Sequence, residues 1–302
     1  MKRGIPIKTH CLCNYSSKPV KIVGIMCSKR KKEDCAREDP ISNEVLRIAL
    51  KEAEKNGAKV EIIDLRELKI GACKECYSSC PAQCRFSEKM LQCDCYRFKH
   101  DALFVDSEKF YPIEEAYDKL DKKKFFELYH DERSFAHRDD MWKVYKAFIE
   151  ADGIIFATST IFYGRNPLLQ TMFSRLCALD GGVEELWGDG KKLGNSIKYS
   201  KNPKALYKQR LYGKKVAFIN ISKEGDVVTP NLMKACTMMG MEIIPLGVAY
   251  HAVGYKDPSH KNDMKAVLGD NFTISLAKNI GKTMADKIKF SDRKYGMLSS
   301  VV

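Results

Sequence analysis

KIVGIMC, residues 21–27, is a short apolar and β-branched run that ends in a long polar loop. Apolar side chains at successive rather than alternate positions are the pattern of a strand buried on both faces, as in a parallel sheet. From Ser42 the sequence SNEVLRIALKEAEKNGAK sets Val45, Leu46, Ile48, Leu50 and Ala53 at helical spacing, with Gly57 placed as a stop. VEIIDL at 60–65 then reads as a second strand, so 21–65 forms a parallel crossover unit.

The same grammar returns further along the chain. A helix is expected at MWKVYKAFIEA (141–151), a strand at GIIFAT (153–158) and a helix at PLLQTMFSRLCAL (167–179). There follow the strand KVAFINI (215–221), a helix near PNLMKACTMMG (230–240), the strand MEIIPLGV (241–248) and a closing helix over 271–288. Five strands alternating with helices give a doubly wound α/β sheet.

Two stretches fall outside that pattern. Residues 66–139 carry a cysteine cluster and then ten aromatic residues between Tyr96 and Phe135, too apolar for a disordered linker. They are expected to form a small folded insertion, helical at IEEAYDKLDKKKFFELY. Residues 180–212, rich in Gly, Lys and Asn, read as an irregular excursion of the kind used for function or subunit contact. The expected organisation is a tail at 1–19, one domain over 20–290 holding a Cys-rich loop (73–95) and an insertion (96–139), and a tail at 291–302.

The chain has 302 residues, enough to bury a core without cysteine staples, yet it holds twelve cysteines. Six of them lie in residues 73–95, in CKECYSSCPAQC and CDC. Such clustering favours metal or redox chemistry in a reducing compartment over a disulfide framework. HCLC at 10–13 reads as a tail with incidental cysteines, and Cys27, Cys177 and Cys236 as buried apolar residues. The N-terminus lacks the apolar stretch of a signal peptide, and no run of about 18 apolar residues occurs. A soluble cytoplasmic protein without membrane insertion is expected. The formal net charge of +13 suits phosphorylated cofactors, an acidic protein or nucleic acid. The basic runs KRKK (29–32) and KKK (122–124) join no recognisable nucleic-acid module and read as solvated surface, so nucleic acid is not an expected partner.

In an open parallel sheet, ligands bind beyond the carboxyl ends of the strands, and three loops reach that edge. CSKRKKEDCAREDPISN (27–43) offers Ser28, Ser42, Asn43 and the charge of Arg30 to a phosphate, without a glycine and so without a Walker loop or dinucleotide fingerprint. On a plainer reading, Ser42 is only a helix N-cap. TSTIFYGRN (158–166) sets Phe162, Tyr163 and Gly164 where amides and an aromatic wall would flank a flat ring, and SKEGD (222–226) has Gly225 for close backbone approach. Together the loops describe a pocket for a phosphate at one end and a planar heterocycle at the other.

KIVGIMCSKR, GAKVEIIDLRELKIGACKEC, DDMWKVYKAFIEADGIIFATSTIFYG and GKKVAFINISKEG with GMEIIPLGV give the chain its resemblance to the NADPH-dependent FMN reductases of flavodoxin-like fold, in their iron–sulfur flavoprotein branch. The resemblance covers about residues 20–84 and 139–290. It implies strand order 2-1-3-4-5 and bound FMN. Ser28, Arg30, Ser42 and Asn43 would then hold the phosphate, and Thr160, Ile161, Phe162, Tyr163, Gly164, Ser222 and Gly225 would line the ring. Eleven residues separate Arg30 from Ser42, more than the family's loop usually has, and Ser159 and Ile161 replace its proline and tyrosine.

The branch carries a compact cysteine motif after the second strand, where this chain has Cys73, Cys76, Cys80 and Cys84. Four thiolates so close in sequence can wrap one [4Fe–4S] cluster, and a structural zinc site uses the same ligands. The family has two residues before the third cysteine where this chain has three, which admits Cys93 or Cys95 as a substitute. The expected function is FMN-dependent electron transfer between flavin and cluster, fed by NAD(P)H or a reduced protein and discharged to a redox partner protein or small acceptor. The alternatives are an NAD(P)H-dependent FMN or quinone reductase with structural zinc and a non-enzymatic electron carrier. No side-chain acid or base is needed, so no catalytic residue is named. A homodimer or homotetramer is expected, with the glycine-rich stretch 180–196 and YHAVGY (250–255) offering interface surface.

Overall fold

The computed structural model describes residues 19–34, 37–75, 86–87, 91–93, 96, 102–104, 110–112, 118–124, 139–180, 209–253 and 263–290. In chain order the elements are β1 (Lys21–Met26), α1 (Ile41–Lys55), β2 (Lys59–Asp64), β3 (Phe86–Ser87), β4 (Gln92–Cys93), β5 (Ala102–Phe104) and β6 (Phe110–Pro112). There follow α2 (Met141–Glu150), β7 (Gly153–Thr158), β8 (Thr160–Ile161), β9 (Gly164–Arg165) and α3 (Pro167–Arg175). The chain continues with β10 (Lys215–Ser222), α4 (Thr229–Met238), β11 (Glu242–Ala252), α5 (Asp263–Gly269) and α6 (Asn271–Phe290).

The apolar runs build one five-stranded sheet in the order β2-β1-β7-β10-β11, with every pairing parallel. Counted along the chain this is 2-1-3-4-5, the doubly wound flavodoxin-like arrangement. Because side chains alternate across a strand, an unbroken apolar run feeds two cores. Val23, Ile25, Ile154, Phe156, Val216 and Phe218 enter the core under α2, α3 and α4, where Phe156 stacks on Phe218 at 5.8 Å. Ile22, Met26, Ile155, Ala157, Ala217 and Ile219 enter the core under α1 and α6.

Two details depart from the sequence reading. Helix α1 begins at Ile41 with Pro40 as N-cap, so Ser42 lies inside the first turn and is not the cap. Proline sets its own φ, here −61°, and pre-forms the entry to the helix. Strand β11 runs to Ala252, and its pairing with β10 slips between Val216↔Ile243 and Phe218↔Val248. The extra residues bulge out of the sheet edge, where Pro245 has no ladder hydrogen bond to lose.

In the insertion, β5 and β6 pair antiparallel, while 118–119 and 122–124 are helical. The expected helix at 113–129 is interrupted at Leu120 and Asp121, which are not helical, and its residues 113–117 and 125–129 lie outside the described residues, as do 1–18, Cys76, Cys80, Cys84, Cys95, 181–208 and the tail from 291.

Candidate functional site

The order 2-1-3-4-5 reverses between β1 and β7, and the loops from both strands open at that point. The Cys27 amide donates to the Ala157 carbonyl at 2.9 Å and holds the two strands together where the first loop leaves the sheet. Ser28 is buried, and Arg30 reaches across its own loop to donate Nη2 to the Asp39 carbonyl at 2.8 Å. Arg66, just past β2, fastens the loop from outside. It is held by Asp64 at 2.6 Å and donates Nη1 to the Arg30 carbonyl at 3.0 Å.

The loop delivers Pro40 to α1, whose first turn has no side-chain cap. Its leading N–H groups therefore carry the partial positive charge of a helix start with no side chain hydrogen-bonded to them, while the carboxylate of the first turn, Glu44, pairs with Arg47 at 3.4 Å. Buried polar atoms without a partner accompany it: Nε of Arg30, and Oδ1 and Nδ2 of Asn43. Such atoms are rare in folded proteins and mark places where a ligand or solvent completes the hydrogen bonding.

The second loop is a small hairpin, β8 against β9, with Phe162 and Tyr163 at φ +46° and +56° as its two turn residues. Positive φ at both positions is the type I′ requirement, normally met by Asn and Gly. Two aromatic residues there cost about 1–2 kcal/mol each. The third loop restrains the strained turn. Glu224 accepts the Tyr163 amide at 2.8 Å, the Thr160 hydroxyl donates to the Gly225 carbonyl at 2.9 Å, and Ser222 donates to the Thr160 carbonyl at 3.4 Å. Phe162 is 86% exposed and Ile161 53% exposed, although both face the opening between the loops.

A cavity of about 420 Å³ lies there, within the range of small-molecule sites. Ser28, Arg30, Pro40, Ile41 and Ser42 line one end. Thr160, Ile161 and Phe162 form a wall with Ser222, Lys223 and Glu224, and Val253 and Asp263 contribute from beyond β11. Lys223 pairs with Asp263 at 3.2 Å. The structure therefore gathers Ser28, Arg30, Ser42, Thr160, Ile161, Phe162 and Ser222 around one space. Asn43, Tyr163, Gly164 and Gly225 are not among its lining residues: Asn43 is buried, Tyr163 is 70% exposed, and Gly225 supports Thr160 through its carbonyl. The sequence reading missed Arg66, Lys223, Glu224 and Asp263. Only Arg66 left a local sign, an acidic residue two places before it at the end of a strand.

Of the cysteines read as metal ligands, Cys73 is described and half-buried, and its Sγ accepts the Glu75 amide at 3.4 Å. Glu75 has φ +54°, so the turn after Cys73 folds back to present an N–H to the sulfur. Cys93 is 5% exposed and belongs to the core beneath α2. Cys27 and Cys236 are buried as read, and burial raises both thiols, Cys236 to about 12, which leaves them inert at neutral pH. Among the described residues no group of three or more His, Cys, Asp or Glu side chains is arranged to hold a metal.

No protein-family model matches the chain, and neither does any curated protein sequence. Solved structures do. RosB with bound 8-demethyl-8-formylriboflavin-5′-phosphate is 13% identical over 89% of this chain and 79% of its own, with a TM-score of 0.48. A flavone reductase is 16% identical over 92% of this chain, TM-score 0.47, and this chain spans 65% of its length. An NAD(P)H:quinone oxidoreductase from Methanothermobacter marburgensis is 10% identical over 88% of this chain and all of its own, TM-score 0.45. These are likenesses of distant proteins, and the flavodoxin-like fold rests on the strand order itself. No described helix is long and apolar enough to cross a membrane.

Proposed function

We propose that the chain is an FMN-dependent oxidoreductase whose flavin phosphate sits on the start of α1. The observation that carries this reading is the uncapped first turn of α1 opening, beside the unpaired Nε of Arg30, into the cavity at the sheet's switch point. An anion there meets backbone N–H groups, the Ser28 and Ser42 hydroxyls and a guanidinium. The donor set fits a phosphate monoester, and the wall of Thr160, Ile161 and Phe162 fits a flat ring. Bound FMN would supply hydride acceptance from NAD(P)H and release of electrons one at a time. The residues' part is to hold and shield: Arg30, Ser28 and Ser42 fix the phosphate, Arg66 fixes their loop, and Glu224 fixes the hairpin that bears Phe162. No acid or base is assigned.

Electron transfer onward to a [4Fe–4S] cluster on Cys73, Cys76, Cys80 and Cys84 completes the reading. Its support is the N–H···S contact at Cys73, which orients the sulfur, together with four cysteines in twelve residues. The packing of Cys93 in the core beneath α2 supports reading it as a structural residue. The competing reading, an NAD(P)H-dependent FMN or quinone reductase, keeps the flavin site and places zinc on the same cysteines. A soluble homodimer or homotetramer discharging to a redox partner protein or small acceptor fits either.

Anaerobic purification followed by flavin extraction and iron, sulfide and zinc analysis tests the assignment. One FMN with iron and sulfide supports the electron-transfer enzyme, and one FMN with zinc supports the reductase. No flavin defeats both.

A further inference from the structure

The segment bearing Cys73 is gripped by a buried polar hub that shares no residue with the cavity lining. Arg175, at the end of α3, is 2% exposed. It donates Nη1 to Asp139 at 2.6 Å and to the Gly71 carbonyl at 3.0 Å, and Nη2 to Gln92 at 2.8 Å. Asp139 accepts in turn from Gln92 at 2.9 Å and from the Gly71 amide at 2.9 Å. Both polar groups of Gly71 are thus committed to residues 68 and 104 positions away.

Tyr96 extends the grip to the cysteine turn. Its ring lies under the Arg175 guanidinium at 3.8 Å and carries the Lys74 ammonium at 4.9 Å, contacts of cation–π geometry. Its hydroxyl donates to the Ala72 carbonyl at 2.6 Å. A Cβ on Gly71 would lie 2.3 Å from that hydroxyl oxygen, so the backbone passes against the phenol. The residues immediately before and after Cys73 are therefore both fastened to Tyr96, the first residue of the aromatic insertion.

We propose that Tyr96 is the positioning residue of the cysteine turn, setting the direction in which Cys73 presents its sulfur. The inference builds on the metal reading above, and it gives the start of the insertion a role: to lock the turn onto the Arg175–Asp139 pair, so that the Cys73 sulfur is pre-placed for a metal. Pre-organised ligands bind metal more tightly because the ordering is complete before binding.

The test is Tyr96→Phe, which keeps the ring under Arg175 and removes the hydrogen bond to Ala72. In chelator-treated full-length protein, alkylation of Cys73 by iodoacetamide, read by peptide mass spectrometry, should accelerate at least about threefold as the turn loosens, while buried Cys236 serves as an unmoved control. FMN content should match the parent protein, which also reports an intact fold. In untreated protein, metal per chain should fall at least about threefold, in line with the effect of losing a supporting hydrogen bond at a metal site. An unchanged Cys73 alkylation rate overturns the proposal. Absence of metal from the parent protein overturns the metal reading instead, and the alkylation rate then still decides the role of Tyr96.

Discussion

Arg66 donates its guanidinium to the carbonyl of Arg30 at 3.0 Å, so the end of β2 holds the loop that leaves β1. Arg66 is itself fixed by three guanidinium contacts to Asp64 and one to Asp39, and it lines no part of the cavity. Its effect on a ligand must therefore pass through the shape of the loop. Arg66→Ala should weaken FMN binding by about fivefold, the worth of one supporting hydrogen bond of about 1 kcal/mol, without abolishing it. Equilibrium titration with FMN checks this, and an unchanged dissociation constant would detach the loop's shape from the site.

The hairpin turn predicts a split between two neighbours. Glycine removes the left-handed strain at either position, and with 70% and 86% exposure neither ring contributes much burial. Tyr163→Gly should raise stability by about 0.5–1 kcal/mol and leave FMN affinity intact. Phe162→Gly should gain similarly in urea melts but lose FMN affinity, because Phe162 lines the cavity. Equal effects of the two on affinity would contradict the placement of the wall.

Gly281 sets how closely α6 approaches α1. A Cβ there would lie 1.9 Å from the Ala49 carbonyl oxygen, a backbone atom that cannot swing aside. Gly281→Ala gains about 1 kcal/mol of helix propensity. Overpacking of about 1–3 kcal/mol or more outweighs that gain, since the two helices must separate along a shared core. Chemical denaturation should show net destabilisation.

Lys214 provides a pH dependence of definite sign. Its ammonium donates to the carbonyls of Ile149 and Ala151 at the end of α2, and burial lowers it to about 8. An unfolded lysine titrates at about 10.4, so between these values the unfolded chain binds more protons and stability rises with pH. Below about pH 8 both states are charged, and the burial penalty is present in full. The parent protein should therefore gain stability over Lys214→Met as pH is raised from about 8 toward 10. A constant difference between the two would contradict the lowered value.

The five core strands and their helices were legible in the sequence because every run of β-branched residues also fills two cores, so burial and propensity agree. Three site loops followed from topology, since parallel strands bring their carboxyl ends to one edge. The hub was not legible: Arg175 lies in an amphipathic helix and finds Asp139, Gln92 and Gly71 only through tertiary folding. The I′ turn was hidden because Phe162-Tyr163 lacks the Asn-Gly signature and depends on Glu224, 61 residues away. Helix α5 was missed because its seven residues offer too few turns for a period to stand out.

The proposed phosphate site for a flavin is the start of α1 together with Arg30. Titration of cofactor-free protein with FMN and with riboflavin, followed by quenching of flavin fluorescence, tests it most directly, because the two ligands differ only in the phosphate. FMN should bind roughly ten- to a hundredfold more tightly than riboflavin, the equivalent of about 1.5–3 kcal/mol for a charge-assisted contact, and Arg30→Ala should remove most of that preference. Equal affinity for FMN and riboflavin, or no binding of either, would contradict it.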